Sequence, residues 1–139
     1  MAETSSVALR RTAQHRFTAR NDRGAEVQIG RAGQDGSFTP VELLLAAAAG
    51  CVAVTAESLV ERRIGEGAEI RASAEAVRTP DGHSVVEIPL ALDFDVSALD
   101  DAQRAALDTA VRRAVEQLCT VTRTLKKPTP APLDLPTGS

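Results

Sequence analysis

Apolar and polar positions alternate in two stretches of the chain. The first stretch, residues 15–29, is interrupted by Asn21, Asp22 and Gly24 and predicts a β-hairpin whose turn these three residues form. The second stretch, residues 70–96, is interrupted at residues 80–82 by the sequence Pro-Asp-Gly and predicts a second, longer hairpin. Between and after these two stretches lie segments whose apolar residues have the spacing of helices rather than of strands.

The strongest helix signal follows a glycine-rich loop over residues 30–39. Thr39 is predicted to be the N-cap, Pro40 the first helical residue and Glu42 the residue that closes a capping box. This helix should run to about Arg62. Residues 43–54 are apolar on every side of it, a pattern typical of a helix enclosed by protein.

A second helix is predicted after a capping arrangement at residues 97–100. Its apolar residues repeat at helical spacing from Leu107 to Leu118, so it should end close to Cys119. Four of the seven prolines follow Lys126 and predict an extended or mobile tail over residues 126–139. The length of 139 residues suits a single domain over residues 1–139, with an ordered core at about 8–127.

Composition narrows the classes of function. A net charge of -3 with interspersed signs and an aromatic content of 2% argue against nucleic-acid binding. The longest apolar run is shorter than the roughly 18 residues of a membrane-spanning helix, and the first residues do not resemble a signal peptide. We therefore expect a cytoplasmic protein without a membrane partner. Without Trp or Tyr, its core is built from small residues and would gain from a subunit interface.

The chain contains two cysteines, Cys51 and Cys119, and two histidines, His15 and His83, all far apart in sequence. Because no two cysteines are closely spaced, we expect neither zinc nor another metal, and no resident cofactor. The histidines have no partner at motif spacing and are expected to be solvated or packed. The cysteines are either inert core residues or redox-active, since the cytoplasm keeps structural thiols reduced.

A reactive thiolate at Cys51 needs stabilisation that its own helix does not provide. Cys51 lies 12 residues beyond Thr39, whereas the helix dipole acts over about the first turn. A cation must therefore come from elsewhere. The candidates precede the helix and are Arg20, Arg23 and Arg31.

Cys119 follows Val111 and Val115 at steps of four residues, which places it on the apolar face of the second helix. This face is turned toward the core that contains the first helix. The two thiols could therefore meet, although simple packing of Cys119 is an open alternative.

Two segments of the chain carry a resemblance to a known family. Residues 39–51 read Thr-Pro-Val-Glu-Leu-Leu-Leu-Ala-Ala-Ala-Ala-Gly-Cys, and residues 116–125 read Glu-Gln-Leu-Cys-Thr-Val-Thr-Arg-Thr-Leu. They resemble the two cysteine segments of the OsmC/Ohr family, osmotically inducible and organic hydroperoxide resistance proteins, in its OsmC-like branch. The resemblance covers roughly residues 17–125. It implies an α+β OsmC-like fold, with antiparallel sheets around two central helices, assembled as an intertwined homodimer with active sites at the interface.

The resemblance also implies an enzyme, a thiol peroxidase that reduces alkyl or fatty-acid hydroperoxides in oxidative-stress defence. In that family, Cys51 would correspond to the peroxidatic thiolate and Cys119 to the resolving thiol. An external dithiol, possibly of lipoyl type, would restore both. A different class of function stays open, a non-catalytic OsmC-like module that binds a small apolar or thiol-reactive ligand.

Two further residues are catalytic candidates by their placement in the family pattern. Arg31 stands where one branch has its activating arginine, whereas other branches have theirs near Arg20 and Arg23. Glu42 stands one residue beyond the usual position of the catalytic acid, so a capping role is an equal alternative. Because Glu42 and Cys51 would lie on opposite sides of one helix, about 13 Å apart along it, we expect the activating groups to come from the other subunit.

Overall fold

The structure, a computed structural model, describes residues 4–136 and contains seven strands and three helices in that part of the chain. The strands are β1 (Val7–Ala13), β2 (Arg16–Asn21), β3 (Glu26–Gly30), β4 (Arg71–Ala74), β5 (Val77–Arg78), β6 (Val85–Glu87) and β7 (Leu90–Asp93). The helices are α1 (Pro40–Ile64), α2 (Asp101–Leu118) and α3 (Thr120–Leu125). All strand pairs within the sheets are antiparallel, so the α+β class with small antiparallel sheets is confirmed.

The chain forms two compact units, each built from separate segments. The first comprises Met1–Ala46 and Ala76–Ile88, and the second comprises Ala47–Glu75 and Pro89–Ser139. The single domain over residues 1–139 stays a prediction, and its ends at residues 1–3 and 137–139 lie outside the described residues. The last three residues of the predicted tail, 137–139, therefore lie outside the described residues as well.

A three-stranded sheet in the order β1-β2-β3 belongs to the first unit. The predicted hairpin of β2 and β3 is confirmed, and the Asn21 side chain accepts hydrogen bonds from the backbone N–H groups of Arg23 and Ala25, both at 3.0 Å. Strand β1 was not predicted. It pairs with β2 and contributes Val7 and Leu9, which are 67% and 53% exposed.

The second predicted hairpin forms as two short strand pairs. Strand β5 pairs with β6 in the first unit, and β4 pairs with β7 in the second. The ladder is interrupted next to Pro89, which has no N–H to donate, while its carbonyl accepts the N–H of Glu75 at 3.1 Å.

Helix α1 begins with the predicted capping box. The Thr39 hydroxyl accepts the N–H of Glu42 at 3.1 Å, and the Glu42 carboxylate accepts the N–H of Thr39 at 2.8 Å. The helix ends at Ile64, close to the predicted Arg62, with Gly65 following in a positive-φ conformation that suits glycine.

The prediction that α1 is enclosed on all sides is wrong for the single chain. Its buried residues lie at four-residue spacing along one stripe: Ala48, Val52, Ala56 and Val60. Val54, by contrast, is 76% exposed, because one chain covers only one side of this helix. By length and composition alone α1 could cross a bilayer, a property that core helices of soluble proteins share.

Helix α2 belongs to the second unit. Asp100 is its N-cap and forms a capping box with Gln103, so the capping box lies three residues beyond the arrangement predicted at residues 97–100. Leu107 is 1% exposed, and the helix ends at Leu118, directly before Cys119 as predicted. Helix α3, which was not predicted, then continues the chain to Leu125, and residues 128–135 have no regular secondary structure.

Candidate functional site

The two cysteines meet inside the second unit. Cys51 lies in the middle of α1 and is partly exposed, whereas Cys119 lies between α2 and α3 and is fully buried. The Cys119 N–H donates to the carbonyl of Val115 at 3.1 Å, which fixes the backbone at the end of α2. Hydrogen bonding with the Cys51 thiol is one of the causes that lower the pKa of the Cys119 thiol. Both thiols are free, so the structure brings the predicted redox pair together in its reduced form.

Two threonines surround the buried thiol. Thr122 is 6% exposed and lies three residues after Cys119, and Thr55 lies four residues after Cys51. Burial raises the pKa of Cys119. Hydrogen bonds from the Thr122 hydroxyl, the Cys51 thiol, the Thr122 backbone and the Thr55 hydroxyl outweigh burial, so the net pKa is lowered.

The hydroxyl neighbours were missed by the sequence analysis, although their spacing was visible. Residues three and four positions apart lie on one side of a helical turn, so Thr55 and Thr122 stand beside the two cysteines. The sequence analysis considered cations as stabilisers of a thiolate and did not consider these two hydroxyls. The arrangement favours the thiolate of Cys119 through neutral donors instead.

The two thiols differ in their exposure to solvent. Cys119 has no exposed surface, whereas Cys51 retains some. A reagent that approaches from solution therefore reaches the sulfur of Cys51 first. The arrangement suits a pair in which Cys51 reacts with an incoming molecule and Cys119 reacts with Cys51.

The other predicted site residues belong to the first unit. Glu42 uses Oε1 in the capping box, and within residues 4–136 its Oε2 has no hydrogen bond or ion pair. Arg31 follows β3, and its guanidinium likewise has no partner in the described part of the chain. Arg20 lies 3.9 Å from the Glu26 carboxylate, and Arg23 lies in the β2–β3 turn. The roles of these residues toward the cysteines stay predictions.

The loop that carries Arg31 is held against Gly30. The Arg31 N–H donates to Gln34 Oε1 at 2.6 Å, and the Ser37 hydroxyl donates to the Gln34 carbonyl at 3.1 Å. A Cβ at Gly30 would collide with the side chains of Gln34 and Ser37. A side chain at position 30 would therefore displace the Gln34 side-chain oxygen and break its hydrogen bond with the Arg31 N–H.

The histidines lie in turns. His15 adopts a positive φ of 58° between β1 and β2, and His83 lies beside Asp81, with Nδ1 and Oδ2 3.9 Å apart. Among the described residues, no three His, Cys, Asp or Glu side chains converge as a metal site.

Comparison with known proteins identifies the family. A family model described as OsmC-like protein matches residues 33–133. An uncharacterised protein of Mycobacterium tuberculosis is 36% identical over 127 residues, which is 90% of this chain and 91% of the relative.

Two solved structures share the fold at low sequence identity. An OsmC-like protein from Mycoplasma pneumoniae is 17% identical, with a TM-score of 0.65 and coverage of 91% of this chain and 89% of that one. An organic hydroperoxide resistance protein of Bacillus subtilis is 22% identical, with a TM-score of 0.55 and coverage of 89% and 91%. The resemblance inferred from the two cysteine segments is confirmed, and the chain belongs to the OsmC-like protein family.

Proposed function

We propose that this protein is a cysteine-based thiol peroxidase that reduces organic hydroperoxides. The observation that carries the proposal is the contact between the free thiols of Cys51 and Cys119 in the second unit. The fold shared with an organic hydroperoxide resistance protein supports the same reaction class. Membership of the OsmC-like family does not depend on this proposal.

The first step of the proposed reaction takes place at Cys51. Its thiolate attacks the distal oxygen of the hydroperoxide, the O–O bond breaks, and the alcohol leaves after taking up a proton. The sulfur is oxidised to a sulfenic acid while the peroxide is reduced. Partial exposure of Cys51 gives the peroxide access to this sulfur.

The second step joins the two sulfurs. The Cys119 thiolate attacks the sulfenic sulfur of Cys51, an S–S bond forms, and hydroxide leaves and becomes water. Because its pKa is lowered by the hydroxyls around it, Cys119 presents more of the attacking thiolate at a given pH than an ordinary buried thiol. An external dithiol then reduces the disulfide by exchange, so the reaction needs no resident cofactor.

A second copy of the chain completes the proposed site. Residues 43–54 of helix α1 are apolar on every side, yet the helix is buried along one stripe, and the β1-β2-β3 sheet exposes Val7, Leu9 and Phe17. These surfaces are suited to a homodimer interface that removes them from water. In this dimer, Arg31 stabilises the Cys51 thiolate of the partner, and Glu42 orients that arginine through its free oxygen.

The proposal also covers the substrate, the reductant and the cellular compartment. Apolar residues around the cysteines favour an alkyl or fatty-acid hydroperoxide over hydrogen peroxide, since burying the alkyl chain is favourable. The reductant is a small or protein-bound dithiol, with a lipoyl group as the first candidate. The compartment is the cytoplasm, where dithiol reductants are maintained.

Consumption of cumene hydroperoxide in the presence of dihydrolipoamide tests the proposal. We expect the wild-type protein to consume many equivalents, Cys51→Ser to consume none, and Cys119→Ser to stop after about one turnover. Peroxide that is consumed at most once per wild-type chain would instead indicate a binding module without turnover.

Complementation tests the contribution of the second copy. Cys51→Ser and Arg31→Ala chains are each expected to be inactive, whereas refolding them together should restore activity in heterodimers. Native mass spectrometry measures the heterodimer fraction. Abundant heterodimers without activity would place the activating arginine elsewhere, with Arg20 and Arg23 as the next candidates.

A further inference from the structure

The second unit brings the sulfur atoms of two distant cysteines together. Val52 of α1 and Val115 of α2 line one pocket, so the two helices approach each other beside the cysteines. The two thiols are close enough for hydrogen bonding. Both are free, and the one methionine, Met1, lies outside the described residues. Within residues 4–136, Cys51 and Cys119 are therefore the sulfur ligands, and they are adjacent.

The pair suits a metal ion that needs two ligands. Among the described residues, no three His, Cys, Asp or Glu side chains converge. Zinc sites usually have at least three protein ligands, so this pair is too small for zinc. Thiolates select soft ions such as Cu(I), which forms stable complexes with two sulfurs in a nearly linear arrangement. The expectation that no metal binds rested on zinc-type spacings, and two ligands far apart in sequence need no such motif.

The buried thiol can give up its proton. Burial raises the pKa of Cys119. Hydrogen bonds from Thr122, from the Cys51 thiol and from Thr55 outweigh burial, so the net pKa is lowered. Metal ions bind the thiolate form of cysteine, and a lowered pKa therefore favours binding at neutral pH. Cu(I) carries one positive charge, which leaves two bound thiolates with a single negative charge that the threonine hydroxyls can stabilise.

The exposure and the rigidity of the two ligands suit the uptake of an ion. Cys51 is partly exposed and can receive Cu(I) from solution, whereas Cys119 has no exposed surface. The pocket wall beside the thiols includes Val52, Val111 and Val115, none of which competes with sulfur for the ion. Cys51 lies within α1, and the Cys119 N–H donates to the Val115 carbonyl at 3.1 Å. The pair therefore needs little ordering when the ion binds, which favours affinity.

We propose that reduced Cys51 and Cys119 bind one Cu(I) ion between their sulfurs and that this ion blocks the reaction of Cys51 with peroxide. Each sulfur exchanges its proton for a bond to copper, the two protons pass to solvent, and no electron is transferred. A sulfur lone pair that is bound to Cu(I) does not attack a peroxide oxygen. The ion is an inhibitor and not a resident cofactor. The block rests on the proposed function, whereas the binding rests on the two adjacent thiols.

Titration of the reduced protein with Cu(I) under anaerobic conditions, in competition with bathocuproine disulfonate, measures the affinity. We expect one Cu(I) per chain. Cys51→Ser and Cys119→Ser should each lower the affinity at least about a hundredfold, because each removes one of two ligands and even the partners of metal ligands contribute roughly 10–100-fold. Ala53→Ser is the matched control, a serine on the same helix with both thiols kept. No binding by the wild type, or equal affinity in Cys119→Ser and Ala53→Ser, would overturn the site.

Competition between ions tests the arrangement of two ligands. Ag(I) has the charge of Cu(I) and its preference for two sulfurs, whereas Zn(II) requires more ligands than the pair contains. We expect Ag(I) to displace Cu(I) from the reduced protein and an equal concentration of Zn(II) to leave Cu(I) bound. Displacement of Cu(I) by that concentration of Zn(II) would show that further ligands complete the site, and the arrangement of two sulfurs would be wrong.

Protection of Cys51 tests the block. One equivalent of Ag(I) per reduced chain should slow alkylation of Cys51 by iodoacetamide at least about tenfold, because alkylation needs the free thiolate. It should also prevent the Cys51–Cys119 disulfide after one equivalent of cumene hydroperoxide. Unchanged alkylation, or a disulfide that forms with Ag(I) bound, would overturn the block. The titrations use no peroxide, so a protein without peroxidase activity still tests the metal site, and failure to bind Cu(I) leaves the peroxidase proposal standing.

Discussion

Two substitutions at the start of α1 separate the capping role of Glu42 from its proposed role in catalysis. Thr39→Ala removes the hydroxyl that accepts the Glu42 N–H at 3.1 Å and leaves the carboxylate in place. Glu42→Gln keeps a side-chain oxygen that can accept the Thr39 N–H, a bond of 2.8 Å in the structure, but removes the negative charge. Thr39→Ala therefore perturbs the helix cap, and Glu42→Gln perturbs the negative charge.

The expected losses of stability follow from these two bonds. Removing an N-cap hydroxyl costs about 1 kcal/mol, and losing a negative charge in the first turn costs roughly 0.3–1 kcal/mol. For a domain of this size, 1 kcal/mol lowers Tm by on the order of 4 °C. Thr39→Ala should therefore be at least as destabilised as Glu42→Gln in thermal unfolding followed by circular dichroism.

The expected losses of activity have the opposite order. A hydrogen bond between charged groups contributes about 1.5–3 kcal/mol, so losing the pairing of Glu42 with the activating arginine should lower kcat at least tenfold. Thr39→Ala should keep kcat within about twofold, and KM should change little in either variant. Peroxidase assays well below both melting temperatures measure these values. If Glu42→Gln keeps the wild-type kcat, Glu42 only caps the helix and the reasoning is refuted.

Three further outcomes are expected. Val54→Asp, at a position 76% exposed in the single chain, should shift sedimentation toward monomer while leaving helicity unchanged; an unchanged dimer would remove this face of α1 from the interface. Thr122→Val removes a hydrogen bond that lowers the pKa of Cys119. The pH profile of disulfide formation after peroxide addition should therefore move to higher pH, and an unchanged profile would contradict the contribution of Thr122. Gly30→Ala displaces the Gln34 side chain and breaks its hydrogen bond with the Arg31 N–H, so it should cost about 0.5–1.5 kcal/mol in urea unfolding. Wild-type stability would contradict this cost.

Local patterns predicted most of the fold. The capping box at Thr39 and the end of α2 before Cys119 depend on residues within one turn, and the structure places both as predicted. Strand β1 was missed because Arg10 and Arg11 are consecutive polar residues that break its alternation, and its pairing with β2 compensates for this. Local signals therefore sufficed wherever no distant partner was needed.

The enclosure of α1 and the surroundings of Cys119 depended on more than local sequence. An apolar helix needs a covering surface, but its composition does not say which chain provides it, and Val54 remains exposed in the single chain. Helical spacing allowed the two thiols to meet but left simple packing of Cys119 open, and the structure brings the thiols together. The spacing of Thr55 and Thr122 from the cysteines is present in the sequence, but only the structure shows that both hydroxyls act on the sulfur of Cys119.

The central claim is that Cys51 and Cys119 act as one peroxide-reducing dithiol. Its most direct test is a single dose of cumene hydroperoxide, one equivalent per reduced chain, followed by mass spectrometry of the non-reduced peptides and a count of free thiols. We expect both thiols to disappear together and a peptide with linked Cys51 and Cys119 from one chain to be the main product. Over-oxidised Cys51 beside an unreacted Cys119, or intact peroxide with both thiols free, would contradict it.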